Sequence, residues 1–375
     1  MQNNNKIFFD YNATTPLKPC AREAILQSLD APLNPSSIHS FGRTAKSLLT
    51  KARNKILQNI AAEGQGLIFT SSGTESNNMI FHCLPNIKNY IISAVEHTSI
   101  LKFASKPNVK IVQVDEFGKV NLAHFEEIIK SFNGEAFLAS IILANNETGI
   151  VQDLSEIKQI VFANKGFLHT DASQALGKIS FDFNNLGVDM ATISAHKIGG
   201  GKGVAGFVIK KGLEISPFII GGGQEGFLRG GTENLPAILG FAEAVEDSIK
   251  NLAEYQSHTS ALTNYMIESL KKINPDIVFF PINNKPSTTN HLPNTILFAI
   301  PNQPAETMLI KLDLAGFAVS SGSACSSGRV NSSHVLKAMN IPDDIAKCAI
   351  RLSLGWLNTK EECDKFLDFI KNFAL

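Results

Sequence analysis

The chain has 375 residues, 44% of them hydrophobic, which suffices for roughly two domains of about 150 residues around a sizeable core. Lysine plus arginine and aspartate plus glutamate both total 34, so no electrostatic pull toward nucleic acid or a membrane surface is implied. The first residues, MQNNNKIFFDYNATT, lack the apolar core of a signal peptide and the Arg-rich character of a transit peptide. With no apolar run near the ~18 residues of a spanning helix, a cytoplasmic site without membrane or nucleic-acid partners is expected.

In chain order, IFFDYNATT (7 to 15) passes from a strand-like run into turn formers. Pro19, followed by apolar residues at 21, 25, 26 and 29, predicts a helix from Pro19 to about Leu29. The polar loop NPSSIHSFGR (34 to 43) opens a helix expected over 44–60. In LIFTSSGTESNN (67 to 78) a buried strand stops at Thr70 and a small-residue turn opens a helix. Free N–H groups and a partial positive charge at such a helix start suit a phosphate, here held by Gly73 and Thr74. The plainer reading of that turn is an ordinary N-cap. YIISAVEHTSI (90 to 100) repeats the pattern and sets His97 at a strand end, and a strand over 136–143 ends in ANNETG, where Asn146, Glu147 and Gly149 form the turn.

A helix over 154–163 precedes two short apolar runs, 166–169 and 189–194, bounded by Gly, Asn and Asp, which read as strands of a buried sheet. Asp171 and Lys197 follow these runs. In open α/β sheets ligands sit beyond the carboxyl ends of strands, so both side chains point into one crevice. Pyridoxal phosphate (PLP) enzymes need this pair, a lysine for the Schiff base and a carboxylate that keeps the pyridine nitrogen protonated. A solvated surface lysine is the commoner reading of any single lysine. His196 before Lys197, glycines at 199, 200, 201 and 203 after it, and the acid upstream argue against that. The alternation of strand, turn and helix predicts a mainly parallel sheet covered on both faces.

GGGQEGFLRGGTEN (221 to 234) is Gly-rich enough for a linker, although its charged and aromatic insertions differ from a plain one. A long helix from Leu235 to about Leu270 leads to a second domain. There a loop (281–290), strands over 295–299, 317–320 and 349–354, and a helix over 305–314 make a smaller α+β unit. A last helix starts at Thr359, where TKEE offers a capping box with Glu362. The expected division is 15–254 for the large domain, with 1–14 and 255–375 forming the small one. Five cysteines, without any C-x-x-C pairing, argue for reduced thiols and against a disulfide framework or structural zinc. In SSGSACSSGR (320 to 329) Cys325 stands among small residues, a setting with little to pack that predicts mobility. Cys20, Cys83, Cys348 and Cys363 read instead as small buried hydrophobes.

SAHKIGG, with HTDASQ ahead of it and SSGSAC beyond, resembles the cysteine desulfurases of the class V aminotransferase (PLP fold-type I) superfamily, in the group with a long cysteine loop. The similarity extends over nearly the whole chain. It implies an α/β large domain with a mainly parallel sheet under helices, plus a smaller α+β domain that carries the cysteine loop. It also implies a homodimer that converts L-cysteine to L-alanine, with sulfur held on Cys325 as a persulfide. In that scheme Lys197 carries the cofactor and Asp171 keeps its ring an electron sink. His97 stacks on the ring and moves protons, Gln174 and Asn146 serve its phenolic oxygen, and Ser194 and His196 join Gly73 and Thr74 at the phosphate. Thr232 reaches the phosphate of the other subunit, while Asn34, Asn146 and Arg351 bind the substrate. No resident metal is implied, although Cys325 can transiently share an Fe–S cluster with a scaffold.

Two departures stand out. Ala195 replaces the glycine of many relatives, and the chain ends at Leu375 without the extension by which housekeeping members engage a scaffold protein. The sulfur acceptor, such as an Fe–S scaffold, is thus left open by the resemblance. Selenocysteine lyase, an ordinary class V aminotransferase and a non-catalytic PLP-fold scaffold subunit are the alternatives. None accounts as well for Lys197, Asp171 and Cys325 together.

Overall fold

A computed structural model describes residues 6–281, 291–321 and 332–373. The expected loop over 282–290 and the Cys325 segment lie outside the described residues. The chain opens with a two-residue strand, β1 (Ile7–Phe8), and then builds seven strands of one sheet. These are β2 (Gly66–Thr70), β3 (Asn89–Ser93), β4 (Val109–Val112), β5 (Phe137–Ser140), β6 (Phe167–Asp171), β7 (Met190–Ser194) and β8 (Ala205–Ile209). Their order is β2-β8-β7-β6-β5-β3-β4. Every pair from β7 to β4 is parallel, and β8 runs antiparallel between β7 and β2.

Alternation along each strand feeds two cores. Leu67, Phe69, Ile91, Phe137 and Ala139 pack on one face with Leu49, Ile56, Phe241 and Val245. Ile68, Tyr90, Ile92, Leu138 and Phe207 pack on the other with Met79, Ile80 and Ile100. Burial on both faces explains why these strands read as continuous apolar runs rather than as alternating ones.

A second sheet holds β9 (Val278–Phe280), β10 (Thr295–Ala299) and β12 (Ala349–Ser353) in the antiparallel order β12-β10-β9, while β11 (Phe317–Ala318) pairs with β1 in parallel. Its core joins Phe9 to Leu262, Met266, Phe298, Ile350 and Phe366. The amino-terminal strand thus pairs with β11, and the residues just after it, from Phe9 to Tyr11, bond to Ser353 of β12 before the chain crosses to the first sheet. No helix among the described residues is long and apolar enough to cross a membrane.

Several sequence expectations change in detail. The helix expected over 44–60 spans Ser40–Asn59, because the His39 side chain accepts from Gly42 N and caps it earlier. The single long helix after Leu235 is two, Leu235–Lys250 and Leu252–Ile273, divided at Asn251. The Gly-rich stretch is tethered rather than a free linker. The buried Glu225 carboxylate takes a fork from Arg53 at 2.7 and 2.9 Å and a bond from Phe69 N, and Arg229 pairs with Glu75 at 2.9 Å. The capping box forms as expected, with Thr359 N donating to Glu362 Oε2 and Glu362 N to Thr359 Oγ1.

Candidate active site

Asp171 is the last residue of β6, and Lys197 ends a single 3-10 turn, Ala195–Lys197, that follows β7. Both therefore leave the same edge of the sheet. Gly199 holds φ +86°, and a Cβ there would lie 2.4 Å from Lys18 Cγ, so the run after Lys197 needs glycine to stay under the crossing segment. That segment is strapped down by Lys18 N to Gly199 O at 2.9 Å, Gly199 N to Thr15 Oγ1 at 2.7 Å and Thr15 N to His196 O at 3.0 Å.

Lys197 Nζ donates to the carbonyls of Asn12 (2.6 Å) and Ala13 (2.8 Å). Burial, and then the charge of Arg351, bring its pKa down to about 8, against the opposing pull of Asp171 and Asp10. Asp171 is buried and accepts from Asn77 Nδ2 at 2.7 Å and Ser173 N at 2.9 Å. His97 caps the short helix Thr98–Leu101 and shares its Nδ1 with Ser99. Burial, outweighing the attraction of Asp171, lowers its pKa and favours a neutral ring. His196 lies against Thr14 Oγ1 at 3.1 Å, its pKa pushed to about 4 by burial and by Lys197.

Gln174 is buried, with Nε2 donating to Asn12 O at 2.8 Å. Arg351 comes from β12 of the second sheet and sends Nη2 to Asp10 Oδ1 at 2.6 Å and Nη1 to Asn146 O at 2.8 Å. Its Nε is buried without a partner among the described residues, as are Ser194 Oγ and Asn77 Oδ1. Gly73 opens its helix beside Ser194: a Cβ added to it would come within 3.9 Å of Ser194 Cβ and 3.4 Å of Ser173 Oγ. Thr74 is exposed. Hydrogen bonds and charge interactions thus link Lys197, Asp171, His97, Gln174, His196, Asn146 and Arg351 into one cluster at the strand ends, with Gly73 and Ser194 adjoining.

Asn34 and Thr232 stand apart from it within one chain. Both are exposed, and Asn34 spends its Oδ1 on Ser36 N of its own turn. Their two loops meet where Gln224 Nε2 donates to Ser36 Oγ at 3.3 Å.

Some participants escaped sequence reasoning. Asn77 supports Asp171, Asp10 engages Arg351, and the Asn12 side chain ties both sheets together through Asn146 O (3.2 Å) and Thr295 Oγ1 (2.9 Å). The buried Glu96 carboxyl, pushed up to about 8 by burial, accepts from Ser93 Oγ and Ile142 N just before His97. Asp10 and Asn12 carried a signal only as members of the turn-forming DYNATT.

A sheet of this order, with an acid and a lysine at neighbouring strand ends and an arginine brought over from a second sheet, defines an enzyme of PLP fold-type I architecture. The aminotransferase class-V family matches residues 7–366, and the chain belongs to it. It is 39% identical to a cysteine desulfurase IscS of Dictyoglomus turgidum over 98% of this chain and 94% of that protein. Identity is 36% to cysteine desulfurase IscS 1 of Archaeoglobus fulgidus, over 97% and 95%. Among solved structures, a NifS-like protein of Rickettsia africae superposes with a TM-score of 0.89 at 38% identity, covering 99% of this chain and all of that one.

Proposed function

We infer that this enzyme is a PLP-dependent cysteine desulfurase, which takes sulfur from L-cysteine, leaves L-alanine and supplies Fe–S cluster or other sulfur-compound biosynthesis. The observation that carries the reading is the Lys197 amine, brought to about 8 and set beside Asp171 at the strand ends, in a chain whose relatives are cysteine desulfurases.

The residues present fit the cofactor. Ser194 Oγ is buried beside the Gly73 helix start without a partner among the described residues, a donor left over for a phosphate. When bound, PLP supplies an electron sink for the α-carbon of the amino acid. Gly73, Thr74, Ser194 and His196 would hold its phosphate, and Asp171, already oriented by Asn77, would hold a proton on its ring nitrogen. His97 would cover the ring, with Gln174 Nε2 and Asn146 toward the phenolic oxygen. The Lys197 amine, partly neutral at physiological pH, would hold the cofactor covalently at rest and, once displaced by the substrate amine, would be free to take the α-proton. Arg351, with its free Nε, would receive the substrate carboxylate, and Asn34 would help. Cys325 takes the sulfur as a persulfide.

We also place the active site at a two-fold interface, completed by Thr232 of a second copy. Ile38, Ile220 and Phe227 are 92%, 88% and 75% exposed on the loops that carry Asn34 and Thr232, an apolar surface that a second copy would cover. The domain division at 15–254 belongs to the same reading, as does a cytoplasmic site.

Borohydride treatment of the purified protein should fix a pyridoxyl group on Lys197, and L-cysteine with a thiol reductant should yield alanine and sulfide. Label on another lysine, or no alanine, would overturn the reading.

A further inference from the structure

Lys178 is 2% exposed, and its Nζ donates to two amide oxygens, Asn12 Oδ1 at 2.7 Å and Gln174 Oε1. Burial, followed by the charges of Lys197 and Arg351, drives it well below the ordinary lysine range, with Asp10 opposing. Such a desolvated lysine needs a reason to be there.

Its geometry supplies one. A lysine amine beside two carboxamides donates to the oxygen of each, which turns both NH2 groups away from it. Gln174 Nε2 is thereby aimed at Asn12 O (2.8 Å), and Asn12 Nδ2 at Asn146 O and Thr295 Oγ1. Asn12 O is also the acceptor of Lys197 Nζ at 2.6 Å. The buried amine therefore orients the Gln174 amide, whose Nε2 shares the Asn12 carbonyl with Lys197, and together with Asn294 it holds the oxygen of the Asn12 amide. Asn294 Nδ2, at 3.1 Å from Asn12 Oδ1, does not reach Gln174 in the same way, since it donates to Asn12 and to Leu354 O.

We propose that Lys178 is a positioning residue which, by holding the oxygen of Gln174, makes that amide present only N–H to the crevice. Resting on the PLP reading above, this means that the cofactor's phenolic oxygen is met by a donor and so favoured in its ionised form. An ionised phenolic oxygen holds the proton of the lysine-linked chromophore less tightly when it is itself hydrogen-bonded. Freeing Gln174 should weaken that bond and raise the pH midpoint of the colour change.

The test uses the holoenzyme and a spectrophotometric pH titration of the visible band, with borohydride trapping at Lys197 as the prior control. Lys178→Met removes the donor at similar length. Its midpoint should rise by about 0.5 to 1 pH unit, the equivalent of one net hydrogen bond. Lys178→Gln keeps an N–H donor and should return the midpoint toward that of the parent. If Lys178→Met does not fold, Lys178→Ser is compared with Lys178→Gln, because its hydroxyl is too short to reach Gln174 and it should show the raised midpoint. A merely structural role would lower the melting temperature and leave the midpoint in place. Pyridoxyl trapped at Lys197 in the parent with superimposable titrations in all variants overturns this inference alone. Absence of pyridoxyl at Lys197 in the parent overturns the PLP reading beneath it.

Discussion

The rate at which the apoprotein captures PLP should titrate with the Lys197 amine, since only the neutral amine attacks an aldehyde. In the folded chain that amine ionises near 8 instead of 10.5, because burial and the nearby Arg351 charge disfavour its cation. The neutral fraction at pH 7 is then about one tenth, against about one in three thousand for an ordinary lysine, a gain of roughly 300-fold. Stopped-flow growth of the visible band after mixing apoprotein with PLP, from pH 6 to 10, should give a rate that climbs about tenfold per pH unit below 8 and levels above it. Arg351→Met removes the second cause of the shift and should move the midpoint upward. Asp171→Asn removes an opposing charge and should move it downward. A rate that still climbs through pH 9 toward 10.5, or an Arg351→Met midpoint below the parent's, would refute the electrostatic account.

Asn77→Leu takes from Asp171 its 2.7 Å side-chain donor. A hydrogen bond to a charged group contributes about 1.5 to 3 kcal/mol, so equilibrium dialysis should find PLP held about 10- to 100-fold more weakly. Arg53→Met leaves the Glu225 carboxylate, 1% exposed in its side chain, buried without its fork. The expected loss is about 3 to 5 kcal/mol, read from urea unfolding, and a loss under 1 kcal/mol would mean that Phe69 N and water suffice. Cys325→Ser should keep bound PLP and lose alanine release from L-cysteine, and turnover at the parent rate would exclude a persulfide on that residue.

The strand ends were legible because a strand buried on both faces leaves an unbroken apolar run, and Asp171 and Lys197 stand where two such runs stop. β4 was not, since its four residues VKIV are buried only at the two ends, with Lys110 and Ile111 exposed between them. β8 was hidden among the glycines that follow Lys197, although it is as buried as β7. The break at Asn251 has no proline or glycine to announce it. At the site, residues next to a strand end could be found by position. Asn77, Asp10 and Asn12 act through contacts spanning 94, 341 and up to 341 positions of sequence, distances over which no local pattern carries information. Thr232 is exposed in its own chain, and under the proposed two-fold reading a group that serves a second copy would leave no mark in the packing of its own chain.

The four cysteines within the described residues bear on where sulfur can go. Burial pushes the Cys83 and Cys363 thiols up to about 12, and Cys20 is raised by burial and by Asp247. At pH 7 a thiol with a pKa of 12 is ionised to about one part in 100,000, while attack on sulfur requires the thiolate. Cys348 is buried with its Sγ on Asp344 O at 3.3 Å, so access is closed to it as well. Cys20 is half-buried rather than fully packed, yet its Sγ lies against Glu243 O on the helix face and not in the Lys197 crevice. A desulfurase that passes sulfur onward needs a thiol outside such settings, and the fifth cysteine, Cys325, is flanked in sequence by serine, glycine and alanine. Replacing Cys20, Cys83, Cys348 and Cys363 together by alanine should therefore preserve alanine release and a single persulfide per chain, detected by mass spectrometry after exposure to L-cysteine. Persulfide on any of the four in the parent protein, or its loss in the quadruple variant while the fold is kept, would move the acceptor away from Cys325.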